Sequence, residues 1–152
     1  MEEVIGLPYL LKTEGGGNYS TNIGDPKFLT TSKAGYIEVI TTGAGCLKVT
    51  KPVIEALYNS NYMVFFRNKQ LKNICEYLTI DSALISEDVT LCNKIRELGF
   101  NIWLKPDSTC MHIGNKIYTG DFKYYLNAVQ QQTTQTAPIS GTSQLSNALF
   151  DI

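Results

Sequence analysis
Residues 86–118, SEDVTLCNKIRELGFNIWLKPDSTCMHIGNKIY, decide how this chain is read. Ser86 is a helix-capping residue type, and Glu87 and Asp88 put negative charge where a helix dipole is positive. Leu91, Cys92, Ile95 and Leu98 recur at helical spacing and predict a buried face, with Asn93, Lys94 and Glu97 pointing away. Gly99 supplies the left-handed stop. Ile102 to Leu104 then predicts a short buried strand carrying the only tryptophan, Trp103, closed by Pro106 and Asp107. A second strand from Thr109 to Ile113 brings the only histidine, His112, to the edge of a Gly114-Asn115 turn. Helix followed by strand predicts an α/β chain, and acids at one end with an imidazole at the other suggest a site.

Upstream, Tyr36 to Ile40 and Cys46 to Val49 read as neighbouring strands. Gly43-Ala44-Gly45 lies between them and lacks the third glycine of a dinucleotide fingerprint, so a tight turn is the plain interpretation. Val4 to Leu11 is apolar but interrupted by Pro8, which predicts an edge or terminal strand. Glu14 to Asp25 is polar and glycine-rich; Gly15-Gly16-Gly17 is not followed by the Lys-Ser/Thr of a phosphate loop, so a flexible linker is favoured. Pro52 starts a short helix with Val53, Ile54 and Leu57 inward. Leu71 to Leu78 has some helical spacing, but Tyr77 to Ile80 and the Asp81-Ser82 turn favour extended structure. Tyr58, Tyr62, Phe65 and Phe66 are expected to cover the core, with stacking on a sugar face as the alternative.

A chain of 152 residues suffices for one core, assigned to residues 1–126, and the Gln/Thr/Ser-rich residues 127–152 read as a polar tail with a docked last turn at Leu145 to Ile152. A net charge of -1 argues against nucleic acid or an acidic membrane as partner. Cys46, Cys75, Cys92 and Cys110 form no C-x-x-C pair and read as small buried hydrophobes of a reducing compartment. With no signal-peptide pattern and no long apolar run, a cytoplasmic location without a transmembrane segment is expected.

Taken alone, Glu87-Asp88 would be capping acids and His112 a hydrogen-bonded strand end. Cys110-x-His112 is half of a zinc pattern, with no second close pair to complete it. Their order carries more. Ser86-Glu87-Asp88, Leu91-Cys92, Arg96, Gly99, Trp103, Pro106, His112-Ile113-Gly114 and Tyr118-Thr119-Gly120-Asp121 follow one another. Ahead of them stand Gly35 to Val39, Thr42 to Val49 and Lys51. This succession resembles the C-terminal half of GT-A-fold, family-2-like nucleotide-sugar glycosyltransferases of bacteria and their phages, over roughly residues 3 to 125. Cys46 stands where an aromatic is usual in that family, and Leu91 where Phe is usual.

The resemblance implies a partial GT-A fold, a mixed sheet with flanking helices, lacking the N-terminal nucleotide-binding half. That half ends in an Asp-x-Asp motif, which occurs nowhere in this sequence. The chain is then a fragment, one half of a split enzyme whose separate N-terminal half is another polypeptide, or a remnant acting as a binding module. The implied reaction moves a sugar from a nucleotide-sugar donor to a glycan, lipid or protein hydroxyl acceptor, with inversion. Asp88 would be the catalytic base and Glu87 would orient the acceptor. Gly43, Ala44 and Gly45 would let the backbone approach a sugar. Trp103 is expected in the core beneath the site, and Lys116, Tyr118 and Asp121 in a loop closing over the nucleotide, with solvated turn residues as the alternative. His112 would bind Mn2+ or Mg2+, the cations suited to imidazole and diphosphate oxygens.

Overall fold
The computed structural model describes residues 2–12, 18–108 and 110–135 of the chain. Its strands run β1 (Val4–Gly6), β2 (Thr21–Asn22), β3 (Ile37–Val39), β4 (Thr41–Thr42) and β5 (Leu47–Val49), followed by helix α1 (Lys51–Asn59). Four short strands come next: β6 (Met63–Phe66), β7 (Lys69–Lys72), β8 (Leu78–Ile80) and β9 (Ala83–Ile85). The chain continues through α2 (Glu87–Glu97), β10 (Ile102–Leu104), β11 (His112–Ile113), β12 (Ile117–Tyr118) and α3 (Phe122–Gln135). The protein is therefore mixed α/β.

Its main sheet has the order β3-β10-β1-β5, with β1 parallel to β10 and antiparallel to β5, and β3 antiparallel to β10. Register aligns Val39, Ile102, Val4 and Val49 in one row across the four strands. Val39, Ile102 and Val4 in that row are buried, and they share the core with Val53 and Leu57 of α1 and Cys92 and Ile95 of α2. Each such fully buried aliphatic side chain contributes about 1.5–3 kcal/mol of hydrophobic stabilisation. The adjacent row, Glu38, Trp103, Ile5 and Lys48, faces the other way and stays half-buried or exposed. This alternation is what a sheet covered on one face requires. The aromatic side of the core is closed by α3, where Phe122 packs edge-on to Tyr19 at 4.8 Å and stacks with Tyr125 at 5.6 Å.

Several sequence expectations change here. The strand from Val4 is central rather than an edge, because Pro8 lies just past the ladder, buried where no strand donor is required. The strands expected to be neighbours, β3 and β5, occupy opposite edges, since β10 and β1 insert between them. In α1 only Val53 and Leu57 turn inward; Ile54, one position off that stripe, is 54% exposed. Lys94, expected to point to solvent, is 7% exposed because residues 73–76 fold over it. Tyr58 and Phe65 are 67% and 75% exposed and do not cover the core, whereas Tyr62 does pack against it. Of the four cysteines only Cys92 is buried.

The segment left ambiguous by periodicity is extended. It forms two hairpins, β6–β7 and β8–β9. Their turns place Arg67, Asn68, Asp81 and Ser82 at positive φ, the backbone of two-residue hairpin turns. The boundary drawn at residue 126 falls within α3, which carries the fold on to Gln135. The Gly15–Gly17 run and the turn expected at Leu145 to Ile152 lie outside the described residues.

Candidate functional site
Helix α2 presents the acids. Ser86 is extended at the N-cap position, but its side chain makes no capping hydrogen bond; Glu87 and Asp88 occupy the first turn, where the helix dipole favours negative charge. The helix is clamped on two sides. Toward the sheet, the Thr42 amide donates to Cys92 Sγ at 3.5 Å, and the Cys92 thiol donates to the Thr42 carbonyl at 3.4 Å. The two interactions fix α2 on β4, and burial pushes the Cys92 thiol pKa up. On the other side, Thr90 Oγ1 donates to the Glu76 carbonyl at 2.6 Å. Lys94 Nζ donates to Glu76 Oε1 and to the Asn73 carbonyl, both at 2.6 Å. The Lys94 ammonium, together with the Asn73 amide, holds the Glu76 carboxyl below its usual range.

The two acids part company at the helix start. Asp88 opens onto a cleft of about 510 Å³ with Tyr9, Ser20, Thr21, Thr42 and Gly43 among its walls. Glu87 instead turns to Tyr77, whose hydroxyl holds the Glu87 carboxyl below the ordinary range and is itself pushed up by it. Hydroxyl-bearing residues recur along the cleft wall, beside apolar surface from Leu11 and Val89. Thr21 and Thr42 hydrogen-bond through their hydroxyls at 3.2 Å, while Ser20 Oγ is buried without a partner among the described residues.

Tyr9 explains the glycines at 43 and 45. Its ring lies on the Gly43–Cys46 turn, so that a Cβ on Gly43 would overlap the Tyr9 hydroxyl, and one on Gly45 would sit 3.0 Å from the ring. The close approach of Tyr9 favours glycine at 43, where Ser20 Cβ also lies 3.0 Å from an added methyl, and at 45 the ring would have to give way slightly. Ala44 between them is exposed.

The opposite edge of Tyr9 faces a smaller recess of about 160 Å³, lined by Gly45, Cys46, Cys110, Met111 and His112. His112 meets the Tyr9 ring edge-on, at 5.2 Å between centroids and 77° between planes. Its Nδ1 is 3.0 Å from the Leu10 carbonyl oxygen. A carbonyl can only accept, so Nδ1 carries the proton and, in the neutral ring, Nε2 is the free acceptor. Asp88 and His112 thus open onto adjoining depressions with Tyr9 as the shared wall.

The remaining candidates scatter. Tyr118 pairs with His112 across the β11–β12 hairpin, and Lys116 holds its ammonium 5.1 Å from the Tyr118 ring. Trp103 lies on the outer face of the sheet, in a shallow depression with Glu2, Glu3, Gly99 and Asn101, apart from the Asp88 cleft. Among the described residues no three His, Cys, Asp or Glu side chains are grouped to hold a metal ion. The recess at His112 offers thiols and a thioether but no carboxylate, so it does not by itself fit Mn2+ or Mg2+, which prefer oxygen.

Sequence reasoning missed Tyr9, Ser20 and the Thr41-Thr42 pair as site residues. The run of hydroxyls directly before Gly43 was the available signal; Tyr9 had none, because its role depends on a turn far along the chain. No family model, curated protein or solved structure matches the chain.

Proposed function
We propose that the chain is the acceptor-side half of a GT-A-fold, family-2-like glycosyltransferase, moving a sugar from a nucleotide-sugar donor to a hydroxyl acceptor. The observation that carries this reading is Asp88 at the start of α2, facing a hydroxyl-lined cleft bordered by the Gly43 turn. The cleft's 510 Å³ falls within the roughly 300–1,000 Å³ usual for small-molecule sites. In the reaction an acceptor oxygen bonds to the anomeric carbon as the carbon–phosphate-oxygen bond breaks on the opposite face, inverting the configuration. Asp88 takes the acceptor proton and the nucleoside diphosphate leaves with the bonding electrons. The hydroxyls of Tyr9 and Thr21, which line the cleft, would hydrogen-bond sugar hydroxyls.

The donor diphosphate and its Mn2+ or Mg2+ are assigned to a separate N-terminal half, covalently continuous or not. No described helix is long and apolar enough to cross a membrane, and a cytoplasmic location is part of the proposal. In the completed enzyme, Asp88→Asn should abolish transfer while leaving nucleotide-sugar binding near normal. Retained turnover would remove Asp88 from the role. A second reading, a non-catalytic remnant that binds sugars, is favoured by Asp88 being the one acid among the described residues that line the cleft. Sugar binding without turnover in the completed wild-type protein would select it.

A further inference from the structure
Two cysteines far apart in sequence flank the same short stretch of chain. The Leu7 amide donates to the Cys46 carbonyl at 3.1 Å, and Cys110 bridges Tyr9 in parallel pairing on the other side. Both side chains line the recess of about 160 Å³ beside His112. Burial raises the Cys110 pKa, and the nearby Cys46 thiol in the same recess adds to that rise. Cys46 is exposed and Cys110 half-buried, the arrangement of an accessible attacking thiol with a sheltered resolving one. Of the other two, Cys92 is sealed in the core against the Thr42 backbone, and Cys75 lies on the far side of α2 near Lys94.

We propose that Cys46 and Cys110 are a redox-modified pair that closes into a reversible disulfide across the recess beside His112. The oxidant is a small disulfide such as glutathione disulfide. Cys46, losing its proton, attacks one sulfur of the oxidant, whose sulfur–sulfur bond breaks and releases one glutathione as thiol. Cys110 then attacks the mixed disulfide at Cys46 and releases the second glutathione. Two protons and two electrons pass from the cysteines, and one glutathione disulfide becomes two thiols. The new bond ties the Gly43–Cys46 turn to the chain entering β11, with the Tyr9 ring held between them. This pair stands independently of the sugar-transfer reading.

The test is oxidation of the purified chain with glutathione disulfide, followed by thiol counting and non-reducing peptide mapping. Peptide mapping should find Cys46 and Cys110 in one cross-linked pair, with the exposed Cys75 free to carry its own glutathione adduct, and dithiothreitol should restore all four thiols. Cys75→Ser should leave the cross-link intact. Cys46→Ser and Cys110→Ser should each abolish it, and Cys110→Ser should trap a stable glutathione adduct on Cys46. Phenylarsine oxide, which bridges close thiols, should bind the wild type one-to-one and protect both cysteines from alkylation. Glutathione adducts on Cys46 with Cys110 left free in the wild type, or a cross-link through Cys75, would overturn the proposal.

Discussion

The two depressions on either side of Tyr9 differ in their chemistry and in what holds them. The Asp88 cleft is walled by hydroxyl-bearing and apolar residues and rests on α2, which is clamped to β4 through Cys92 and to residues 73–76 through Thr90 and Lys94. The His112 recess is walled by sulfur and rests partly on the two-residue strands β11 and β12, where Met111, Ile113 and Ile117 are exposed. One side is built to hold a carboxylate at a set place beside polar groups. The other presents polarisable, oxidisable atoms near the surface. A single aromatic ring separates hard oxygen chemistry from soft sulfur chemistry, so neighbouring sites in one fold need not serve one reaction.

The sharpest way to break this comparison is to exchange the losses. Asp88→Asn should lower transfer in the completed enzyme by about 10²–10⁴-fold, the usual contribution of a general base, measured by nucleotide release. His112→Ala should cost far less in the same assay; an equal loss would merge the two sites into one catalytic centre.

Removing the wall comes next. Tyr9→Ala should destabilise the fold by about 2–4 kcal/mol in urea unfolding, since it deletes a ring packed on the Gly43–Cys46 turn and on His112. Unchanged stability would mean that the depressions are held apart by something else.

The support of α2 can be tested from behind. Glu76→Gln leaves the buried Lys94 ammonium without its anion and should cost about 1–3 kcal/mol. Because the Glu76 carboxyl titrates lower in the folded chain than unfolded, its stabilisation is fully present above the unfolded value near ~4.3. It is lost as pH falls through the folded value, so wild type and Glu76→Gln should converge in acid unfolding curves. A gap that persists at low pH would contradict this account.

The smallest effect should come from Gly43→Ala, about 1–2 kcal/mol, because the added methyl overlaps the Tyr9 hydroxyl. Combined with Tyr9→Ala the penalty should largely vanish, and a double-mutant cycle of urea midpoints measures that coupling. Strict additivity would show that the glycine answers to another neighbour.

Legibility in the sequence followed the range of the interactions. Helix α2, its acids in the first turn and the strand Ile102–Leu104 were all readable, because first-turn acids, a 3.6-residue stripe and a glycine stop are encoded within a few residues of one another. Lys94 was misread for the complementary reason. Its charge predicts solvent, and only the return of residues 73–76 makes it an internal ion pair. Strand order was equally hidden. Nothing local to Ile37–Val39 and Leu47–Val49 says that β10 and β1 will insert between them.

By itself, then, the sequence determined the α/β class and the helix that carries Asp88, since both follow from local backbone and side-chain preferences. Tertiary structure alone decided that Asp88 enters the cleft while Glu87 turns to Tyr77, and that Tyr9 divides the site. It also placed Cys46 and Cys110 in one recess. Each of these depends on contacts between residues distant along the chain. Such contacts form only when apolar burial on one face of the sheet forces the elements into register.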